Sequence, residues 1–148
     1  MSRPNRTFLR VMWKLHHGWY RISGGRIGAK VSGLPVLELT TTGRKSGRSR
    51  RVLLTFVDDP NGFIVIASNA GSERDPAWWG NLVADPCATV RTRRDTQPVR
   101  MRRLEDEERE RAWARAVAAF PGYAAYATKA GRPIPVALLE IVSEGPAR

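Results

Sequence analysis

The 148-residue chain has one cysteine, Cys87, and two histidines, His16 and His17. A single thiol excludes an internal disulfide. One cysteine and two adjacent histidines make a poor metal set, because neighbouring side chains on a helix diverge by about 100°. No stretch approaches the roughly 18 uninterrupted apolar residues of a membrane-spanning helix, since Arg, Lys or Asp breaks every hydrophobic run. The basic start, Met1 to Arg10, does not lead into the apolar segment and cleavage site of a secretory leader. These absences predict a cytosolic chain with no metal site and one hydrophobic core.

Acidic residues are nearly missing from the first third. Residues 1–50 carry 11 Lys and Arg against one acid, Glu38, whereas residues 51–148 hold 14 basic and 13 acidic side chains. The formal net charge of +11 is therefore concentrated at one end of the sequence. Its partner is an anion: nucleic acid, anionic lipid, or a small ligand carrying phosphate and carboxylates. Nucleic acid is the poorest of these fits, because the Trp and Tyr residues lie in apolar stripes rather than interleaved with Arg, and no nucleic-acid motif occurs.

Apolar side chains at Phe8, Val11, Met12, Leu15 and Trp19 recur at helical spacing, predicting an amphipathic helix over residues 7–22 that leads through a Gly-rich loop. Packed on the barrel, its stripe is ordinary core; beside Trp13, Trp19, Tyr20 and the cations, it also suits peripheral contact with anionic lipid. Strands are predicted over residues 35–42, 50–57, 63–67, 87–92, 97–104 and 134–142. Asp58-Asp59-Pro60-Asn61-Gly62 is read as a turn. Asp75 is expected to cap a helix with Pro76 at its first position, the helix stopping at Asp85-Pro86.

A third helix spans residues 105–120, with Trp113, Val117 and Phe120 spaced toward the core, and residues 123–129 form a helical turn before Gly131-Arg132-Pro133. Hairpin-length links between strands favour an antiparallel sheet. The expected architecture is α+β: a small barrel of about six antiparallel strands with flanking helices. Residues 1–30 supply the N-terminal helix and loop, and residues 31–148 the barrel of a single domain.

The densest candidate site is Thr40-Thr41-Thr42-Gly43-Arg44-Lys45-Ser46-Gly47 with Arg50. Glycines at 43 and 47 let backbone amides turn toward an anion, and Arg44, Lys45 and Arg50 supply charge. A Walker loop is excluded, since Ser46 precedes a glycine and a strand follows. A solvated hairpin tip would carry the same composition. Lone Cys87 is read as inert core, and Arg91, Arg93, Arg94, Arg100, Arg102 and Arg103 as a solvated sheet face.

Thr41 to Gly47, the stretch from Ala67-Ser68 to Gly71, the run Asp75-Pro76-Ala77-Trp78-Trp79-Gly80-Asn81-Leu82, and Phe120-Pro121-Gly122-Tyr123 with Ile134-Pro135 together resemble the deazaflavin-dependent nitroreductase family of actinobacteria. The resemblance spans roughly residues 8–142. It implies a split β-barrel of the FMN-binding type that binds coenzyme F420 and, in its reduced form, passes a hydride to a small organic acceptor such as a quinone, nitroaromatic or enone. A non-catalytic deazaflavin or lipid-like carrier is the alternative.

By the same resemblance, Arg44, Lys45, Ser46 and Arg50 hold the phosphate and polyglutamate tail. Arg51, Val52, Leu53, Leu54 and Thr55, with Ile66, Ala67, Ser68 and Asn69, line the deazaflavin ring, and Ala77, Trp78, Trp79, Gly80 and Asn81 complete the wall. Trp78 is the expected ligand-side member of the tryptophan pair. Tyr123 is the candidate catalytic residue, positioning the acceptor with Phe120 and Tyr126. On the residues alone it is equally a barrel-mouth aromatic with a wet hydroxyl. The family often has lysine at the position of Asn69 and tyrosine at those of Thr55 and Phe120.

Overall fold

A computed structural model describes residues 30–31 and 34–142. The expected helix over residues 7–22, and its lipid contact, lie outside the described residues.

Among the described residues eight strands form one antiparallel sheet: β1 (Lys30–Val31), β2 (Leu34–Thr42), β3 (Ser49–Thr55), β4 (Val57–Asp59), β5 (Gly62–Ile66), β6 (Cys87–Arg91), β7 (Thr96–Arg103) and β8 (Val136–Ile141). Their order is β1-β2-β6-β7-β8-β5-β4, with β3 paired to β2. Among the described residues three α-helices accompany them: α1 (Ala77–Ala84), α2 (Asp106–Ala119) and α3 (Gly122–Ala130). The α+β split-barrel expectation holds, with two strands more than the six expected. β1 is short, and the strand expected over residues 50–57 divides at Phe56, whose side chain turns inward edge-on to Phe63.

The sheet buries both faces, which explains why β5 and β8 read as continuous apolar runs rather than alternating ones. Leu37, Leu39, Phe63, Val65, Val99, Ala137 and Leu139 pack with α1 through Trp78, Trp79 and Leu82. The opposite set, Ile64, Ile66, Val136 and Leu138, packs with α2 and α3 through Ala112, Ala116, Tyr123 and Ala130. On α2, then, the fully buried stripe is Ala112 and Ala116; Trp113, Val117 and Phe120 flank it half-buried. Alanines let the helix axis approach the sheet, and the larger side chains spread around the seam.

Local details differ from expectation in three places. Pro76, extended at φ −67° and ψ 154°, is the N-cap of α1, and Asp75 gives no capping bond because its carboxylate pairs with Arg132 at 2.5 Å. Cys87 is exposed, with its Sγ 3.7 Å from a guanidinium nitrogen of Arg100. The arginine face is only partly solvated: Arg102 bridges Glu108 and Glu140, and Arg103 lies over the Trp79 ring at 5.9 Å. Among the described residues no helix is long and apolar enough to cross a membrane.

Candidate functional site

The β2–β3 hairpin tip closes tightly enough to be a built surface rather than a loose loop. Gly43 N–H donates to the Arg48 carbonyl and Gly47 N–H to the Gly43 carbonyl, each at 2.8 Å, with Gly47 left-handed at φ 71°. A Cβ on Gly43 would stand 2.8 Å from Ser46 Oγ, so the turn needs glycine there for space. Ser46 Oγ in turn accepts from Arg48 N–H at 3.2 Å and from the Arg50 guanidinium at 3.3 Å.

Arg44 folds from this tip onto α1. Its backbone N–H and its Nη1 both donate to Asn81 Oδ1 at 3.1 Å, and Nη1 also donates to the Ala77 carbonyl at 3.1 Å. Asn81 is 6% exposed and passes the restraint inward, donating from Nδ2 to the buried Thr41 hydroxyl at 3.1 Å. Gly80 leaves the room this requires: a Cβ there would meet Arg44 Nη1 at 2.8 Å. A flexible side chain is thereby fixed before any ligand arrives.

Between hairpin and helix lies a cavity of about 600 Å³. Arg44, Lys45, Ser46, Arg50 and Arg51 line its polar side, and Val52, Pro76, Ala77 and Trp78 its apolar side, with Asn69, Asn81, Thr41 and Gly43 also contributing. Ten of the expected cofactor residues thus come together. The other eight do not line this space. Leu53 pairs with Val36 in a small buried cluster of its own, Leu54 packs on the core, and Ile66, Ala67 and Trp79 are core members. Ser68 offers its carbonyl to Arg132, Gly80 lies beneath Arg44, and Thr55 bonds Tyr123. Of the two tryptophans, Trp78 lines the cavity and Trp79 stacks edge-on behind it at 6.2 Å.

Tyr123 is 5% exposed and is not among the lining residues; its hydroxyl shares a 2.8 Å hydrogen bond with the Thr55 hydroxyl. Phe120 stands edge-on to its ring at 5.1 Å and Tyr126 at 6.3 Å, with Trp113 at 6.4 Å. Burial pushes the phenol pKa up, partly opposed by the Thr55 hydrogen bond, and nearby Tyr126 adds to the rise. The phenol is therefore a proton-bearing donor throughout the neutral range.

One residue that sequence reasoning passed over is Arg132. Read as part of a helix breaker, it reaches across to the segment between β5 and α1 and donates to the carbonyls of Ser72 and Arg74, both at 3.0 Å, and to Asp75. Nothing in its sequence position announces this, because its partners lie 57 to 65 residues away.

Similarity to known proteins places the chain in a family. The family model of the F420H(2)-dependent quinone reductases matches residues 12–141. The chain belongs to that family. An F420H(2)-dependent quinone reductase of Mycobacterium tuberculosis is 32% identical over 136 residues, covering 85% of this chain and 87% of that protein. A solved F420-H2-dependent reductase, FDR-A, is 41% identical, covers 72% of this chain and 94% of its own, and superposes with a TM-score of 0.66. A further structure, described as a domain-swapped dimer, is 38% identical over 86% of this chain and 97% of its own, with a TM-score of 0.68. Likeness to the haem storage protein HutZ of Vibrio cholerae, at 14% identity and a TM-score of 0.54, shows the shared fold alone.

As a member of the F420H(2)-dependent quinone reductases, the protein is an F420-dependent reductase, and coenzyme F420 is its cofactor. The residues present fit that group. A flat apolar wall headed by Trp78 stands beside fixed cations, which is the complement of a ring joined to a phosphate and a chain of carboxylates.

Proposed function

We propose that this reductase acts on a quinone, or a chemically similar acceptor such as a nitroaromatic or enone, and that the cavity between the β2–β3 hairpin and α1 is its F420 site. The observation carrying this reading is the Thr41–Asn81–Arg44 chain of hydrogen bonds, which holds one guanidinium at the edge of a 600 Å³ cavity walled by Trp78. When bound and reduced, F420 supplies the hydride.

The protein's own contribution is placement. Arg44, Lys45, Ser46 and Arg50 hold the phosphate and carboxylate tail, with Arg44 already oriented so that little side-chain entropy is lost on binding. Trp78, Ala77, Val52 and Asn69 border the ring, while Gly80 and Asn81 serve it by fixing Arg44. Tyr123 O–H donates to an acceptor oxygen as negative charge develops there, with Phe120 and Tyr126 shaping the surrounding apolar surface. Thr55 is the group that aims that hydroxyl. A cytosolic location, with residues 7–22 touching the inner membrane face, suits an acceptor that partitions into lipid.

The test is titration of the purified protein with oxidised F420 beside flavin mononucleotide, repeated with Arg44→Ala plus Lys45→Ala, then steady-state reduction of quinone, nitroaromatic and enone acceptors. F420 binding that the double change weakens supports the tail site. Turnover with none of these acceptors, despite binding, overturns the proposed acceptor class.

A further inference from the structure

The segment joining β5 to α1 holds an uncommon conformation. Asn69, Ala70 and Gly71 are successively left-handed, at φ 47°, 53° and 77°, though only the last is glycine. Side chains with a Cβ disfavour this region, so side chains from outside supplement the loop's own bonds, Gly71 N–H to the Ser68 carbonyl at 2.9 Å and Ser72 N–H to the Asn69 carbonyl at 3.0 Å. Three residues do so: Asn69 Nδ2 donates to the Arg74 carbonyl at 3.0 Å, Lys129 Nζ to the Ala70 carbonyl at 3.3 Å, and Arg132 to the loop as a whole.

Arg132 is 15% exposed in its side chain and, apart from a 3.5 Å contact to the Pro133 carbonyl, gives its planar fork to this one segment. Besides the Ser72, Arg74 and Asp75 contacts, Nη2 reaches the carbonyls of Ala67 and Ser68 at 3.4 Å each. A trans peptide is planar, with its N–H opposed to its C=O. If the carbonyls of Ala67 and Ser68 face Arg132, the N–H groups of Ser68 and Asn69 face away from it, and Asn69 borders the cavity.

We propose that Arg132 is a positioning residue of the coenzyme site: by gathering the loop's carbonyls it turns the Asn69 amide toward the polar edge of the deazaflavin ring. The inference rests on the reading that this cavity holds F420. A lysine cannot replace the residue, since it offers a point charge in place of a flat fork of five N–H groups.

Binding of oxidised F420, and of the deazaflavin riboside lacking phosphate and glutamates, is measured by the absorbance of the bound ring for wild type, Arg132→Lys and Asp75→Asn. Arg132→Lys is expected to weaken both ligands about tenfold and to reduce the spectral shift on binding. Arg44→Ala plus Lys45→Ala should weaken only the tailed ligand. Asp75→Asn keeps every carbonyl contact and should bind like wild type.

Amide hydrogen exchange reads the loop independently of affinity: residues 67–75 should exchange faster in Arg132→Lys while β5 and β8 stay protected. Wild-type binding and spectra in Arg132→Lys, or unchanged exchange in the loop, would overturn the inference and leave the F420 site standing. Equal losses in Asp75→Asn and Arg132→Lys would also overturn it, assigning the effect to the ion pair. A wild-type protein that binds neither ligand removes the F420 reading and this inference together.

Discussion

The Tyr123 hydroxyl is a single atom with a packing role and a chemical one, and pH separates them. Because burial raises its pKa, the folded state keeps this proton after the unfolded chain has lost it. Its contribution to stability is therefore complete below the ordinary phenol range, near pH 10, and is lost as pH rises through the raised folded value. Tyr123→Phe should flatten the alkaline fall in melting temperature while lowering acceptor turnover and leaving F420 affinity unchanged. Thr55→Val, which removes a hydrogen bond that favours the phenolate, should move the alkaline limb of turnover upward. An alkaline limb that stays in place in Thr55→Val would show that this phenol does not govern the rate. Ala70 gives a prediction of opposite sign. Relief of its left-handed strain, about 1–2 kcal/mol, exceeds the added chain entropy of glycine, about 0.5–1 kcal/mol. Ala70→Gly should therefore stabilise the fold by about 0.5–1 kcal/mol in urea unfolding.

At the scale of elements, α1 is both a core helix and a platform for Arg44, and Gly80 separates the two duties. A methyl group there meets only the far end of a flexible arginine, so the helix tolerates it and gains about 1 kcal/mol of intrinsic propensity. Gly80→Ala is accordingly expected to keep or raise the melting temperature and still weaken F420 binding several-fold, read by ring fluorescence; unchanged affinity would mean that the Arg44 pose is immaterial. This glycine was legible in the sequence only as part of a family motif. The strands were legible because apolar runs and turn residues punctuate them, and the hairpin cations because charge is local. Arg132 and the Thr55–Tyr123 bond were not, since both join side chains that only the folded sheet brings within reach. Asp75 misled for the same reason: its preceding-Pro76 position suits a cap, but a guanidinium some 57 residues away outcompetes the helix amides. The half-burial of Trp113 likewise follows from how closely Ala112 and Ala116 let α2 approach.

For the whole molecule, charge and apolar surface are segregated. The sheet spends its two apolar faces on α1 and on α2 with α3, leaving the β2–β3 hairpin to carry cations at one edge of the cavity. Recognition divides accordingly, the tail being read by charge and the ring by shape. Raising ionic strength from 0.1 to 1 M shortens the screening length from about 10 Å to about 3 Å, which weakens exposed charge pairs and spares stacking on Trp78. Affinity for F420 should therefore fall about tenfold or more over that range, while the riboside without a tail should bind almost independently of salt. Identical salt dependence for the two ligands would mean that Lys45, Arg50 and Arg51 do not meet the carboxylates, and that the positive first third of the chain serves some other anion. Dependence confined to the tailed ligand would mean that, of the chain's many cations, those at the β2–β3 hairpin select the coenzyme, while the acceptor is chosen around Tyr123.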